Sequence, residues 1–193
     1  MMFLKRTYLR RIILSAVMLI GFMWTTNAQS FTLSTNVIEW GNYGTVNVDA
    51  GMSLSRHFTV NAGCKYNPWE FQTKSGMTVM NNQLTAYLGA RYWFFFVNTG
   101  WWLGARMRFT DFEQTGVLRP KYVLGKSLGA GISAGYTWML TEHFSIELAA
   151  GIWGGRHLKY EQYRTYDNKI LDDQGPRNFI SLDDISLSLI YVF

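Results

Sequence analysis

The stretch LGAGISAGYTW, Leu128 to Trp138, alternates between two kinds of side chain along its whole length. One set is large or aliphatic and consists of Leu128, Ala130, Ile132, Ala134, Tyr136 and Trp138. The residues between them are glycine, serine or threonine. A period of two places the two sets on opposite faces of a β-strand. The stretch therefore predicts a strand with one apolar face and one small, polar face.

The same period of two recurs through most of the chain. Further strands are predicted near 31–38, 46–54, 58–66, 84–92, 101–109, 144–152 and 184–193. Short connections are predicted at 55–57, 95–99 and 141–143, and long ones at 67–82, 110–124 and 155–183. An even number of strands joined by connections of alternating length is typical of outer-membrane barrels. The predicted fold is all-β, an eight-stranded antiparallel up-and-down transmembrane β-barrel.

The distribution of side-chain size favours a membrane barrel over a soluble one. Eight strands leave an interior only just wide enough for side chains, and a soluble barrel would have to fill it with the large apolar set. Tryptophans also lie near the predicted strand ends, as in membrane girdles: Trp93, Trp101, Trp102 and Trp138 near short connections, and Trp40, Trp69 and Trp153 near long ones. In lipid the last strand must pair with the first, because an open sheet edge leaves backbone groups unbonded.

The first 28 residues have the pattern of a secretory signal peptide. A basic start precedes the apolar run 12–24, and Thr26-Asn27-Ala28 follows it. The run is shorter than the roughly 20 residues that a membrane helix needs. We therefore expect a cleaved signal peptide at 1–28, a barrel domain at 29–193 and a location in the bacterial outer membrane. Beyond the leader, 14 basic and 13 acidic residues give a net charge of +1, which disfavours nucleic acid as a partner.

Six charged residues fall on the predicted polar face: Asp49, Lys65, Arg91, Arg106, Arg108 and Glu147. An isolated charge in a narrow interior is costly, so these cations and carboxylates are expected to pair with one another. Such a network would fill the lumen and exclude solutes. The alternative is a small-solute channel that prefers anions.

The predicted connection 155–183 carries the most distinctive surface residues. Aromatic and basic side chains alternate at Lys159, Tyr160, Tyr163, Arg164, Tyr166 and Lys169. Tyrosines often anchor protein partners, and Lys and Arg suit the phosphates of lipopolysaccharide. The connection is therefore a candidate contact for a surface protein or glycan and for outer-membrane lipids. Alternatively, it is a solvated loop whose aromatic rings pack on the barrel rim.

The histidines give little support to an enzyme. His57 and His143 fall in short connections, and His157 has Glu161 nearby but no serine at a suitable spacing. A lipid-modifying enzyme would need such a serine beside a positioned base, and it stays an alternative. The sequence favours a protein without catalytic activity.

Neither a metal nor another cofactor is expected. The pairs Asp172-Asp173 and Asp183-Asp184 lack the spaced oxygen ligands of a calcium site. Cys64 is the only cysteine, so it forms no intramolecular disulfide, and it falls on the apolar face of its strand. It is expected to act as a small hydrophobic side chain.

Five short segments together resemble an outer-membrane barrel family that is known as a domain of unknown function. They are YNPW (66–69), ARYWF (90–94), GWWLGAR (100–106), LGAGISAGYTWML (128–140) and GP (175–176). The resemblance implies an eight-stranded barrel similar to OmpA or OmpX, and it supplies no reaction. It also implies that Tyr191 and Phe193 form the C-terminal aromatic signal that the barrel-assembly machinery recognises. A monomer is expected.

Overall fold

Alternating segments with many β-branched and aromatic residues favour extended backbone, and they form one antiparallel sheet. The computed structural model describes residues 30–72, 78–115, 121–164 and 171–193. These residues form β1 (Phe31–Asn36), α1 (Val37–Gly41), β2 (Val46–Ser53), β3 (Phe58–Asn67), β4 (Glu70–Gln72), β5 (Thr78–Trp93), β6 (Gly100–Thr115), β7 (Tyr122–Met139), β8 (Phe144–Tyr163), β9 (Leu171–Gln174) and β10 (Arg177–Val192). The predicted all-β antiparallel fold is confirmed. The predicted leader lies outside the described residues.

Strand pairing follows the order of the chain and then returns to its start. β10 pairs with β8, where Leu187 lies opposite Leu148, and also with β1, where Leu189 lies opposite Thr35. Each of eight strands therefore pairs with two others of the same set, which is β1, β2, β3, β5, β6, β7, β8 and β10. Within the described residues, β4 pairs with β5 and β9 pairs with β8. The helix α1 has five residues, and no described helix is long and apolar enough to cross a membrane.

Several strands run further than the alternation predicts. β6 continues to Thr115 and β8 to Tyr163, so much of the predicted connections 110–124 and 155–183 is strand. The pairing of β7 with β8 continues to the end of β8. In these extensions large apolar residues do not alternate with small or polar ones, as in Tyr122-Val123-Leu124, so the two-residue period is absent while the backbone ladder continues. This is why the extensions were missed.

The first strand is shorter than predicted. β1 ends at Asn36, not at Ile38, because the Asn36 side chain accepts a hydrogen bond from the Ile38 N–H at 3.1 Å and caps α1. The short connections lie at the predicted places, between β2 and β3, β5 and β6, and β7 and β8. We call the end of the sheet with these connections the lower end and the opposite end the upper end.

The usual distribution of polar and apolar side chains is inverted. Large apolar residues on one face are exposed, such as Leu88 at 64% and Ile132 at 62%. Polar residues on the other face are buried, such as Thr137 at 1%. This polar face is tightly packed, since a side chain at Gly63 would overlap the Tyr87 hydroxyl.

Three tryptophans contradict the predicted girdles. Trp93 and Trp102 are buried at 1% and 2% exposure, and Trp153 lies on the polar face beneath Arg108. The doublet Trp101-Trp102 explains the error, because neighbouring residues of a strand point to opposite faces. Trp101 is the exposed member. Trp93 and Trp102 instead close the lower end of the polar face, with ring centroids 6.2 Å apart.

Candidate functional site

A charged cluster occupies the middle of the polar face. Arg91 Nη1 lies 3.1 and 3.2 Å from the two carboxylate oxygens of Glu147, and the Thr137 hydroxyl donates to the same carboxylate at 2.8 Å. The Arg91 guanidinium also lies 4.4 Å from the centre of the Trp102 ring. Each charge therefore has a direct partner, which offsets the cost of removing it from water.

Asp49 and Arg106 complete this central cluster. Asp49 accepts a hydrogen bond from Asn61 Nδ2 at 2.8 Å and another from the Tyr87 hydroxyl. Arg106 lies 5.5 Å from the centre of the Tyr87 ring. Together with Arg91 and Glu147, these residues line a cavity of about 50 Å³. A space of that size holds one or two water molecules, so the centre of the polar face is filled by side chains.

The other two predicted residues, Lys65 and Arg108, lie closer to the upper end. Lys65 Nζ lies 2.8 Å from Glu39 Oε1, and both side chains are buried. Arg108 is 6% exposed and lies 4.8 Å from the centre of the Trp153 ring. Sequence analysis missed Glu39, because it belongs to a helix too short to show a period. It also missed the aromatic partners of the arginines, although the two-residue period puts Trp102 and Trp153 on the same face as the arginines.

A larger space, the upper cavity, lies above Lys65 and has a volume of about 430 Å³. The Ser127 hydroxyl and His157 Nδ1 face each other in its wall at 2.6 Å. The His157 ring stacks on Phe179, with centroids 4.3 Å apart. No serine lies near His157 in the sequence, and strand pairing supplies Ser127 from 30 positions away. Predicting the pair would have required the register of β7 on β8, which shifts between Lys126 and Ser127.

The expected surface set of the 155–183 connection does not form one exposed patch. Lys159, Tyr160 and Tyr163 belong to strand β8, and Arg164 directly follows it. Tyr160 is buried, and the Arg177 guanidinium lies 3.6 Å from its ring centre. Tyr166 and Lys169 lie outside the described residues.

Ion pairs fix the remaining upper residues. Lys159 Nζ lies 3.0 Å from Glu161 Oε1, so Glu161 is directed to Lys159 and not to His157. The pKa of Asp172 is held below its usual value mainly by a hydrogen bond from Gln162 and, to a smaller extent, by one from Lys121.

No group of three or more His, Cys, Asp or Glu side chains in the described part of the chain is arranged to hold a metal.

The lower end repeats one arrangement twice. His57 Nδ1 lies 3.0 Å from the Trp93 carbonyl oxygen, and His143 Nδ1 lies 2.9 Å from that of Val192. In each case the backbone N–H of the same partner residue donates to the histidine carbonyl at 2.8 Å. Both histidines therefore tie a short connection to the neighbouring strand, which is a structural role.

The two residues predicted as an insertion signal, Tyr191 and Phe193, lie together at this lower end. Their ring centroids are 4.8 Å apart. The Phe193 N–H donates to the Phe31 carbonyl at 2.9 Å, and the two phenylalanine rings are 5.7 Å apart. Phe193 therefore adds a backbone hydrogen bond and a ring contact to the pairing of β10 with β1.

The family model described as "Protein of unknown function (DUF3575)" matches residues 13–193. The chain belongs to this family. The predicted membership of a family of unknown function is thus confirmed, while the likeness to OmpA and OmpX stays a prediction. No curated protein matches the chain. Membership of DUF3575 assigns no reaction to the central cluster or to the upper cavity.

Proposed function

We propose that this DUF3575 protein is an eight-stranded transmembrane β-barrel of the bacterial outer membrane, similar in architecture to OmpA and OmpX. The observation that carries the proposal is the inverted burial, with large apolar side chains exposed on one face and polar side chains buried on the other. In water, such a surface would be a large aggregation hazard. In lipid, it is the surface that a barrel requires.

Strand pairing and strand length support the same proposal. A sheet in lipid must leave no open edge, and β10 has partners on both sides, β8 and β1. A membrane strand needs about 9–11 residues. β5, β6, β7 and β8 have 16 to 20 residues, so they would cross the bilayer and project beyond it at the upper end.

We further propose that the lumen does not conduct and that the protein is not an enzyme. The filled central cluster, with its cavity of about 50 Å³, supports a plugged lumen. The protein would then act in envelope structure or surface interaction through its extracellular upper end. Its partners would be outer-membrane lipids and lipopolysaccharide, the barrel-assembly machinery during insertion, and a surface protein or glycan.

The proposal is tested by fractionation of the native host and by gel migration. We expect the protein in the outer-membrane fraction, resistant to carbonate extraction, with a faster-migrating folded form that converts to the full-length position on boiling. A protein recovered from the soluble periplasm would contradict the proposal. Planar-bilayer recordings test the anion-channel alternative: steady unitary conductance that disappears in Arg106→Ala would favour the channel.

The pair of Ser127 and His157 favours a second candidate, a lipid-modifying enzyme. Their separation of 2.6 Å lets the imidazole accept the hydroxyl proton, as a nucleophilic serine needs. Glu161 pairs with Lys159, so it does not orient the His157 ring as the third residue of a triad would. Altered lipid A in cells that overproduce the protein, absent for Ser127→Ala, would support this candidate; unchanged lipid A would count against it.

A further inference from the structure

We infer that the upper part of β10 binds an extended peptide of another protein, which joins the sheet as an added strand. The inference rests on the proposed surface interaction and deepens it, because it names the binding segment and the class of partner. The segment is 177–182, which we call the free edge. It pairs with β8 on one side, from Arg177 opposite His157 to Leu182 opposite Ile152. No strand in the described part of the chain pairs with its other side.

The neighbouring strand is too short to cover the free edge. β1 pairs with β10 only over 188–192, and above Asn36 the chain turns into α1. A bulge between Asp183 and Ser186 separates this paired part of β10 from the free edge. On the far side of β1 to β3, β5 is paired to its top, because β4 continues the pairing that β3 begins. Of these two long strands, β10 alone keeps an unpaired side among the described residues.

The described residues end and resume at three places within the sheet, all of them away from the free edge. They are bordered by residues that pair with each other on β4 to β9: Gln72 with Thr78, Gln114 with Val123, and Tyr163 with Leu171. The chain therefore leaves and re-enters the described residues at the upper ends of these strands, and not beside 177–182.

The free edge presents backbone groups at a regular spacing. Residues of an antiparallel strand turn their N–H and C=O alternately to the two sides. Below the bulge, the Val192 N–H donates to the His143 carbonyl, so the even-numbered residues of β10 bond toward β8 there. The bulge adds one residue to β10 and reverses this order. Asn178, Ile180 and Leu182 therefore turn their N–H and C=O away from β8.

The side chains of the free edge are exposed on both faces of the sheet. Ile180 and Leu182, on the apolar face, are 87% and 77% exposed, more than any other large apolar side chain of the described residues. On the polar face Ser181 is exposed, whereas Thr110 and Ser127 of the opposite strands are buried. The described part of the chain therefore leaves the free edge uncovered on its faces as well as on its unpaired side.

In the proposed barrel, the free edge lies at the upper surface of the bilayer or above it. A membrane strand needs about 9–11 residues, and that many residues counted up from Val192 reach as far as Leu182. An open edge within the hydrocarbon would leave N–H and C=O groups unbonded, whereas water reaches them at this level. A further strand can replace that water without opening the barrel.

An extended peptide is the partner whose chemistry fits this edge. Its backbone repeats donors and acceptors at the spacing of the free edge, which neither an acyl chain nor a sugar does. Pairing places the outward side chains of the peptide beside Ile180 and Leu182, and the inward ones beside Ser181. We therefore expect a segment in which apolar residues alternate with polar ones.

A second copy of this chain fits the free edge less well. Two barrels inserted in the same direction can pair their free edges only in parallel, because both copies of β10 run toward the lower end. The two-fold rotation that relates such copies exchanges the two faces of the sheet. The apolar face of one edge strand would then continue into the polar face of the other. The partner is therefore a different protein.

Fluorescence anisotropy with the refolded full-length protein in detergent micelles tests this inference. The probe is a labelled synthetic peptide, KTVTVTVTK, whose valines and threonines point to opposite faces of a strand. One derivative is N-methylated at the valines and another at the threonines, so each lacks the donors of one edge. We expect saturable binding of the unmodified peptide and of one derivative, with binding of the other at least tenfold weaker. Loss for the valine derivative identifies antiparallel pairing, and loss for the threonine derivative identifies parallel pairing.

Two variants of one residue locate the binding on β10. Ile180→Pro removes the N–H of the free edge and leaves the bonds to β8 in place, as proline does on an edge strand. It should weaken binding about tenfold, because a peptide carbonyl loses its donor. Ile180→Thr keeps this N–H and should leave the affinity within threefold. Heat-modifiable migration shows that each variant is folded, and the methylated peptides serve where Ile180→Pro fails to fold.

Three results would overturn the inference. They are absence of saturation, equal binding of all three peptides, and full binding by folded Ile180→Pro. A wild-type dimer that Ile180→Pro converts to a monomer in light scattering would also overturn it, because a second copy would then occupy the edge. None of these results affects the membrane proposal, which fractionation tests separately.

Discussion

Glu147→Gln should destabilise the protein strongly, because Glu147 is the main partner of a buried cation. Its carboxylate accepts hydrogen bonds from Arg91 at 3.1 and 3.2 Å and from Thr137 at 2.8 Å. The side chains of Arg91 and Glu147 are 19% and 3% exposed. Removing one partner of a buried ion pair costs about 3–5 kcal/mol, since the other charge is left uncompensated. Glutamine keeps the shape and one accepting oxygen, so we expect the lower end of that range.

Urea unfolding in phospholipid vesicles, followed by tryptophan fluorescence and by gel migration, measures the effect. Glu142→Gln is the matched control, because Glu142 is exposed in a short connection, and it should change the free energy of unfolding by less than about 0.5 kcal/mol. The double variant Arg91→Met/Glu147→Gln also removes the Arg91 charge that Glu147→Gln leaves without its carboxylate partner. It should recover more than half of the free energy of unfolding that Glu147→Gln loses. A loss below about 0.5 kcal/mol for Glu147→Gln would refute the reasoning, as would a double variant whose loss equals the sum of the single losses.

Three further predictions concern the two ends of the sheet. His143→Ala removes the hydrogen bond to the Val192 carbonyl and should cost about 1 kcal/mol in the same urea assay; an unchanged midpoint would show that the contact contributes nothing. Phe193→Ala removes the ring contact with Phe31 and should lower the amount of folded protein in the outer membrane, whereas wild-type amounts would argue against a role for Phe193 in insertion. The lowered pKa of Asp172 means that its contacts stabilise the fold above the unfolded value of about 3.9 and are lost as the pH falls through the lower folded value. An NMR titration of the Asp172 carboxyl that gave a midpoint at or above 3.9 would contradict this assignment.

The strands could be predicted because their signal is local. In Leu128 to Trp138 each residue differs from its neighbours in size and polarity, and that difference alone fixes which face it occupies. The same rule put Asp49, Arg91, Arg106 and Glu147 on one face, where the structure brings them around one small cavity. Their partners were harder to foresee, since Asn61 and Thr137 look like ordinary polar strand residues.

The upper end could not be predicted in the same way. Helix α1 is shorter than two turns, so it gives no periodic pattern, and Glu39 reaches Lys65 across 26 positions of sequence. The approach of Ser127 to His157 depends on an irregular register between two strands. Neither the capping by Asn36 nor this register follows from the composition of a single segment. The residues that line the upper cavity come from several strands, so no single segment of the sequence predicts it.

The central claim is that the exposed apolar face contacts lipid, and a spin label on Cys64 tests it most directly. Cys64 is the only cysteine, lies exposed on that face and is part of β3. Electron paramagnetic resonance in phospholipid vesicles compares collisions of the label with oxygen, which concentrates in the hydrocarbon, and with a water-soluble nickel chelate. We predict frequent collisions with oxygen and almost none with the chelate. Free access of the chelate to the label in the folded protein would contradict the membrane barrel.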